Sequence, residues 1–248
     1  MEPGTLALFD VMPLNRYSDN DLTAMLNWTY APESRSMQIS YKFFDLTLRL
    51  GSNIAGLPGF EKDLPVEHNQ RGTFFKTTTS STLALTYNPP ACLKILGTED
   101  ALLPDLPERL QRALPMTRLE QIRTGGTPAR PPAVLGKEPA HGWCYYFQKT
   151  ELARQQGDWP MLVSFADQAF EAGLNPGDPA ELLPMIEGYA RVGNLDRAAS
   201  FSREAGKQAN LHPALCAVWE RVGEQIGKDQ ETAAKAAAGE RSELNCLP

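Results

Sequence analysis

No stretch of this chain reaches the roughly 18–20 consecutive apolar residues that span a bilayer, so nothing in it predicts direct membrane insertion. Cysteine is sparse: Cys92, Cys144, Cys216 and Cys246 lie far apart without a CxxC pair. That spacing argues against both a disulfide framework and a Cys-rich zinc site. His141 and Cys144 make an isolated His-x-x-Cys, which supplies two ligands where a structural zinc takes about four. The aromatic run around Cys144 favours a small buried thiol instead, so no metal and no cofactor is expected. Excess positive charge is missing too. The net charge is −6, with 14 Lys+Arg against 15 Asp+Glu in residues 1–140 and 10 against 15 in residues 141–248. Neither part offers the basic footprint that nucleic acid or an anionic membrane surface would require. The start, Met-Glu-Pro-Gly, lacks the basic and apolar regions of a secretory signal, and is equally compatible with a cut inside a longer protein.

Recognisable catalytic signatures are also lacking. Thr77-Thr-Thr-Ser-Ser-Thr82 has no GxxxxGK[ST] or GxSxG pattern beside it, so it reads as a solvated turn between strands. Gly125-Gly126 precede no helix start and form no phosphate cradle. His68 and His212 have no Ser or Cys partner nearby in sequence, and His212, before Pro213, fits a helix-cap region better than a general base. Asp10, Asp19 and Asp21 do not follow the calcium-loop pattern and read as solvated carboxylates. Asn27-Trp28-Thr29 is a glycosylation sequon only in an exported eukaryotic chain. No catalytic residue is assigned.

What is present divides in two. Residues 1–18, with Pro3, Gly4 and Pro13, show no sustained period and read as an irregular arm, followed by a short helix over Asp19–Trp28 with Leu22, Met25 and Leu26 on one face. Met37 to Phe43 alternates apolar with polar residues as a half-buried strand does. Phe44, Leu46, Leu48 and Leu50 continue out of step, which predicts a bulge or sharp bend at Phe43-Phe44. Gly51 to Gly59 reads as a loop. Gly72–Lys76, Thr82–Tyr87 and Cys92–Leu96 complete five short strands, expected to form a small antiparallel sheet, and Pro107–Ala113 reads as a short helix. The Gly- and Pro-rich stretch after Thr124 is linker-like. These signals predict an α+β chain: a β-rich domain over residues 1–123, a linker over 124–140 and a helical domain over 141–248.

From Trp143 the period becomes helical. Trp159, Leu162, Val163, Ala166, Ala169 and Phe170 recur at i, i+3, i+4, as do Leu182 to Ala190, Leu195 to Ala205 and Leu215 to Ile226. With the helix opened by Trp143 there are five. Asp158 and Asn194 stand as N-caps, and Asp178-Pro-Ala-Glu181 has the form of a capping box. Pro184 would interrupt a helix begun at Pro179, so the regular helix is expected to start later. The aromatic run Trp143, Tyr145, Tyr146 and Phe147 is expected to pack the first of these helices against the sheet domain, lining a ligand pocket being the other reading. Two helix-turn-helix units result, turning at Gly157-Asp158 and Gly193-Asn194, with glycines 36 residues apart. Units of this length cannot bury their apolar faces alone and stack on neighbours.

These units resemble the tetratricopeptide family. Counting from the turn glycine, Gly157 is followed by Ala169 and Pro176, while Gly193 is preceded by Tyr189 and followed by Ala198, Ala205 and Pro213. The match is partial: Leu162 stands where the family prefers a small residue, Ser202 where it prefers an aromatic, and a third unit is half visible. An ordinary helical bundle is the other reading. More broadly, Leu26-Asn-Trp-Thr-Tyr-Ala-Pro32, Asp45-Leu-Thr-Leu-Arg-Leu-Gly-Ser52, Tyr87 to Leu96 and Trp143 to Trp159 are similar to the soluble C-terminal parts of large uncharacterised bacterial multi-span membrane proteins, over about residues 15–215. The chain departs from that group in lacking the spans. The resemblances imply a non-catalytic module that binds a protein or peptide, as part of a membrane assembly. The alternative they leave open is an accessory soluble domain of a membrane-bound glycosyltransferase-type enzyme. The family's concave positions fall on Phe147, Glu151, Arg154, Gln155, Glu187, Arg191 and Arg221. These are mostly polar residues off the apolar stripes, with Arg154, Arg191 and Arg221 placed to grip a carboxylate.

Overall fold

The computed structural model describes residues 1–11, 18–33, 36–49, 57–70, 72–124, 129–225 and 231–246. Most of the expected 51–59 loop and the Gly125-Gly126 pair lie outside them. By its contacts the chain divides into two compact units. The first comprises Met1–Tyr87, Ile95–Ala101 and Leu106–Pro139; the second comprises Ala140–Pro248 with Asn88–Lys94 and Leu102–Asp105.

The centre of the first unit is the segment read as an arm. Leu6-Ala7-Leu8-Phe9 is an uninterrupted apolar run, the signature of a strand covered on both faces, and Thr5–Phe9 forms β1 with every residue buried. It runs parallel to β2 (Tyr41–Asp45) on one side and to β5 (Thr82–Thr86) on the other. The sheet order is β2-β1-β5-β6, with β6 at Lys94–Leu96. The expectation of an antiparallel sheet is therefore corrected: its central pairs are parallel, because β1, absent from the sequence reading, inserts between the others. A second, two-stranded antiparallel sheet pairs β3 (Pro65–Gln70) with β4 (Thr73–Thr78). The β1–β2 register runs through Phe43 and Phe44 without a bulge, and the change of direction comes two residues later, where the chain leaves β2 into a single helical turn, α2 (Leu46–Arg49), that buries Leu46.

Helix α1 (Asp19–Tyr30) opens on a Ser18–Asp21 capping box and crosses over between β1 and β2. It seals the outer edge of β2. Asn27 Oδ1 accepts from the Ser40 and Tyr41 amides, Asn27 Nδ2 donates to the Tyr41 carbonyl at 2.7 Å, and Thr23 Oγ1 accepts from the Phe43 amide. Asn27 is thus a structural surrogate for a neighbouring strand, a role a sequon reading of Asn27-Trp28-Thr29 does not contain. Asp10 and Asp19 are buried rather than solvated; Asp10 bonds Thr47 and meets Arg109 of α3 (Glu108–Ala113) at 3.4 Å. The Thr77–Thr82 run is likewise no loose turn: Thr79 is fully buried, accepts from the Leu64 amide and donates to the Glu61 carbonyl.

The second unit is three helix pairs: α4 (Trp143–Gln156) with α5 (Trp159–Glu171), α6 (Leu183–Arg191) with α7 (Leu195–Ala205), and α8 (His212–Gln225) with α9 (Glu231–Glu243). The first two turns are where the sequence puts them. Gly157 and Gly193 take φ of 69° and 84°, which glycine adopts without a Cβ penalty, and the side chains of Asp158 and Asn194 accept from the amides three residues on. Pro179–Leu182 forms a 3₁₀ turn and the regular helix begins at Leu183, leaving Pro184 in its first turn, where no backbone donor is missed. Trp143 and Phe147 enter the core of this helical unit, Trp143 against Phe170.

Two contacts set the spacing of these helices. Leu162 packs on Gly188 of α6, where an added Cβ would come within 2.3 Å of its Cδ2. Ser202 is buried and accepts from Trp219 Nε1 of α8 at 3.0 Å.

The cysteine expectation is overturned. Cys92 pairs with Cys144 and Cys216 with Cys246, leaving none free. Separations of 52 and 30 residues leave no trace in local spacing; the fold brings the partners together.

Candidate functional site

Helices α4, α6 and α8 are the first members of successive pairs and pack in sequence, α4 on α6 and α6 on α8. The seven residues expected to face a partner all lie on these three helices. Phe147 is buried in the core. One turn further along α4, Glu151 is buried and accepts from Lys94 Nζ at 2.6 Å and Arg154 Nη2 at 2.8 Å. On α6, Glu187 is buried and accepts from Arg191 at 3.0 Å, and from Arg221 of α8 at 2.9 Å. Arg191 also donates to the Arg221 carbonyl and lies over the Trp159 ring, 5.0 Å from its centroid.

Most of these positions are buried even though they stand off the apolar stripes. The side chains of Arg154 and Arg191 are each only 7% exposed, whereas that of Arg221 is 28% exposed. A polar residue off the apolar stripe reads as surface only while its partner is unknown. Here the partners are glutamates one turn away on the same helix or on the next pair. Gln155 is half-buried beside them.

Burial by itself would raise the Glu151 carboxyl, but the charges of Arg154 and Lys94, and the bonds they make, outweigh it and hold it down to about 2. Glu151 is a fixed anion at any physiological pH. Lys94 was invisible to sequence reasoning because it lies 57 residues upstream, at the start of β6. Its ammonium sits 5.8 Å from the Phe147 ring centroid.

A second carboxylate organises the entrance to the helical unit. Glu181 completes the capping box that the sequence announces, taking the Gly177 and Asp178 amides on Oε2 at 2.9 and 3.3 Å. The same oxygen accepts from Trp143 Nε1 at 2.8 Å, and Oε1 accepts from the Cys92 amide at 2.6 Å. It thereby fastens the Asn88–Lys94 segment to the start of α4, next to the Cys92–Cys144 bridge.

Comparison with known proteins identifies no relative. No family model matches the chain, and neither a curated protein nor a solved structure matches it at a significant level.

Among the described residues, no group of three or more His, Cys, Asp or Glu is arranged to hold a metal. His141 stacks on the Tyr145 ring at 3.6 Å between centroids, and Cys144 is committed to its disulfide. His212 opens α8 with Nε2 2.9 Å from the Gly206 carbonyl, a capping position. Among the described residues, no helix is long and apolar enough to cross a membrane.

Proposed function

We propose that the helical unit is a tetratricopeptide-like stack that binds a protein or peptide partner by a carboxylate, with no catalytic role of its own. The observation that carries this reading is the ionic ladder along α4, α6 and α8, which gathers Lys94, Arg154, Arg191 and Arg221 about the buried Glu151 and Glu187 and leaves the Arg221 side chain 28% exposed. The rest of the unit runs the other way, since residues 141–248 hold 15 Asp+Glu against 10 Lys+Arg. Cations gathered in one place on an acidic unit steer anionic groups toward it. Arg221 is the member with its side chain partly in water, backed by Arg191. A partner's carboxylate meets Arg221 first, while Arg154 and Arg191 hold the scaffold.

Two disulfides support a setting outside the reducing cytosol, in keeping with a soluble part of a bacterial membrane assembly. The test is a peptide array displaying each sequence with a free and an amidated C-terminus, probed with wild type and Arg221→Gln. Because Glu187 keeps Arg191, this substitution leaves the buried anion paired. Retained peptides should depend on a carboxylate, terminal or side-chain, and weaken roughly tenfold with Arg221→Gln, the value of one charge-assisted bond. Binding that ignores both changes, or no retention at all, overturns the proposal.

A further inference from the structure

The two disulfides sit in different mechanical settings. Cys92 is buried and its amide is held by Glu181, which also holds the indole of Trp143, the neighbour of Cys144; two residues on, Lys94 is bound to Glu151. If this bridge were reduced, both thiols would remain where they are. Cys216 is equally fixed, on α8, but Cys246 follows α9, and α9 is weakly seated. Of its described side chains only Ala237 is buried, set near Gly223. Leu244 adds a partly buried contact, Glu240 bonds the Ser202 side chain, and the Arg241–Glu220 pair stands at 4.0 Å with its side chains 33% and 54% exposed. A helix of 13 residues, with so little buried among its described side chains, is marginal by itself.

We propose that Cys216–Cys246 is an exchangeable disulfide, a site for an external protein dithiol, and that its reduction releases α9 from α8. Access is open, as it also is at the exposed Cys144, so seating and not access separates the two pairs: Cys216 and Cys246 are half-buried and line a cavity of about 440 Å³ together with His212, Glu220, Arg241 and Leu244. One thiolate of the dithiol attacks the Cys246 sulfur, forming a mixed disulfide while Cys216 leaves as thiolate and takes up a proton. The second thiol of the donor then displaces Cys246 as a thiol. The donor is oxidised to its disulfide and this chain gains two electrons and two protons. Equilibrium follows the effective concentration of the two thiols in the reduced chain, which is high for the clamped Cys92–Cys144 pair and low once α9 detaches. This reading is independent of the peptide-binding proposal.

The experiment titrates the wild-type protein through reduced and oxidised dithiothreitol ratios, trapping free thiols with one alkylating reagent and, after full reduction, the remainder with another. Peptide mass spectrometry then reads each pair. Cys216–Cys246 should reach half-reduction at a ratio lower by roughly tenfold or more than Cys92–Cys144. At that point hydrogen exchange should quicken across Glu231–Glu243 and stay unchanged in α4 to α7. A Cys216→Ser, Cys246→Ser variant should show the same exchange pattern without reductant, and the wild-type titration stands alone if that variant fails to fold. Simultaneous opening of the two pairs, earlier opening of Cys92–Cys144, or unchanged protection of α9 after selective reduction refutes the proposal.

Discussion

Replacing Glu181 by glutamine keeps its shape and removes its charge, and the consequence follows from which atoms it serves. Oε2 takes Trp143 Nε1 and the Gly177 and Asp178 amides; Oε1 takes the buried Cys92 amide. The glutamine must turn its oxygen to the larger set and its NH₂ to Cys92, setting donor against donor. An unsatisfied buried donor costs about 1–3 kcal/mol, and demoting the charge-assisted bonds to neutral ones adds about 1 kcal/mol each. Relief from burying a carboxylate offsets part of this. The net expectation is about 2–4 kcal/mol, a urea midpoint lower by about 1–2 M for the second unit. Trp143, Trp159 and Trp219 all lie in that unit, so tryptophan fluorescence follows its unfolding, and near-ultraviolet circular dichroism should register the freed Trp143 indole. A midpoint unchanged for Glu181→Gln would mean that this carboxylate does not hold the Asn88–Lys94 segment in place, and the account of the helical entrance would fall.

The Glu151 carboxyl lies below its unfolded value of 4.5, at about 2, so its stabilisation is complete above pH 4.5 and disappears as pH falls toward 2. Wild type should exceed Glu151→Gln by on the order of 3 kcal/mol near neutrality, with the gap closing through that window; a gap independent of pH in urea titrations would contradict the pairing with Lys94 and Arg154. Gly188→Ala would stabilise an exposed helix by about 1 kcal/mol. Here the new methyl meets Leu162, so a loss of about 1–3 kcal/mol is expected, relieved in part by Leu162→Ala, with a double-mutant cycle as the readout. Additive effects of the two substitutions would show that α5 and α6 do not approach at this point.

The sequence by itself determined what is local. The α+β order, the helical period from Trp143, the turns at Gly157 and Gly193, the Asp158 and Asn194 caps and the Asp178–Glu181 box all depend on residues within one turn of each other, where backbone conformation and side-chain hydrogen bonding are settled by near neighbours. Helix α9 was missed although its signal was present: the alanines from Ala233 to Ala238 carry high helix propensity but no apolar stripe to betray a packing face.

What only the tertiary structure decided involves partners distant along the chain. β1 reads as an arm because a strand buried on both faces has no alternation to detect; the crossover through α1 sets its parallel pairing with β2, and β5 joins it from far along the chain. The cysteines pair across 52 and 30 residues. Arg154 and Arg191 read from the sequence as cations placed for a partner's carboxylate, and the fold pairs them with Glu151 and Glu187, with Lys94 and Arg221 arriving from other elements. Charge and polarity along a chain describe what a side chain requires; which neighbour satisfies the requirement is fixed when the helices stack and the low dielectric of the interior makes every unpaired group costly.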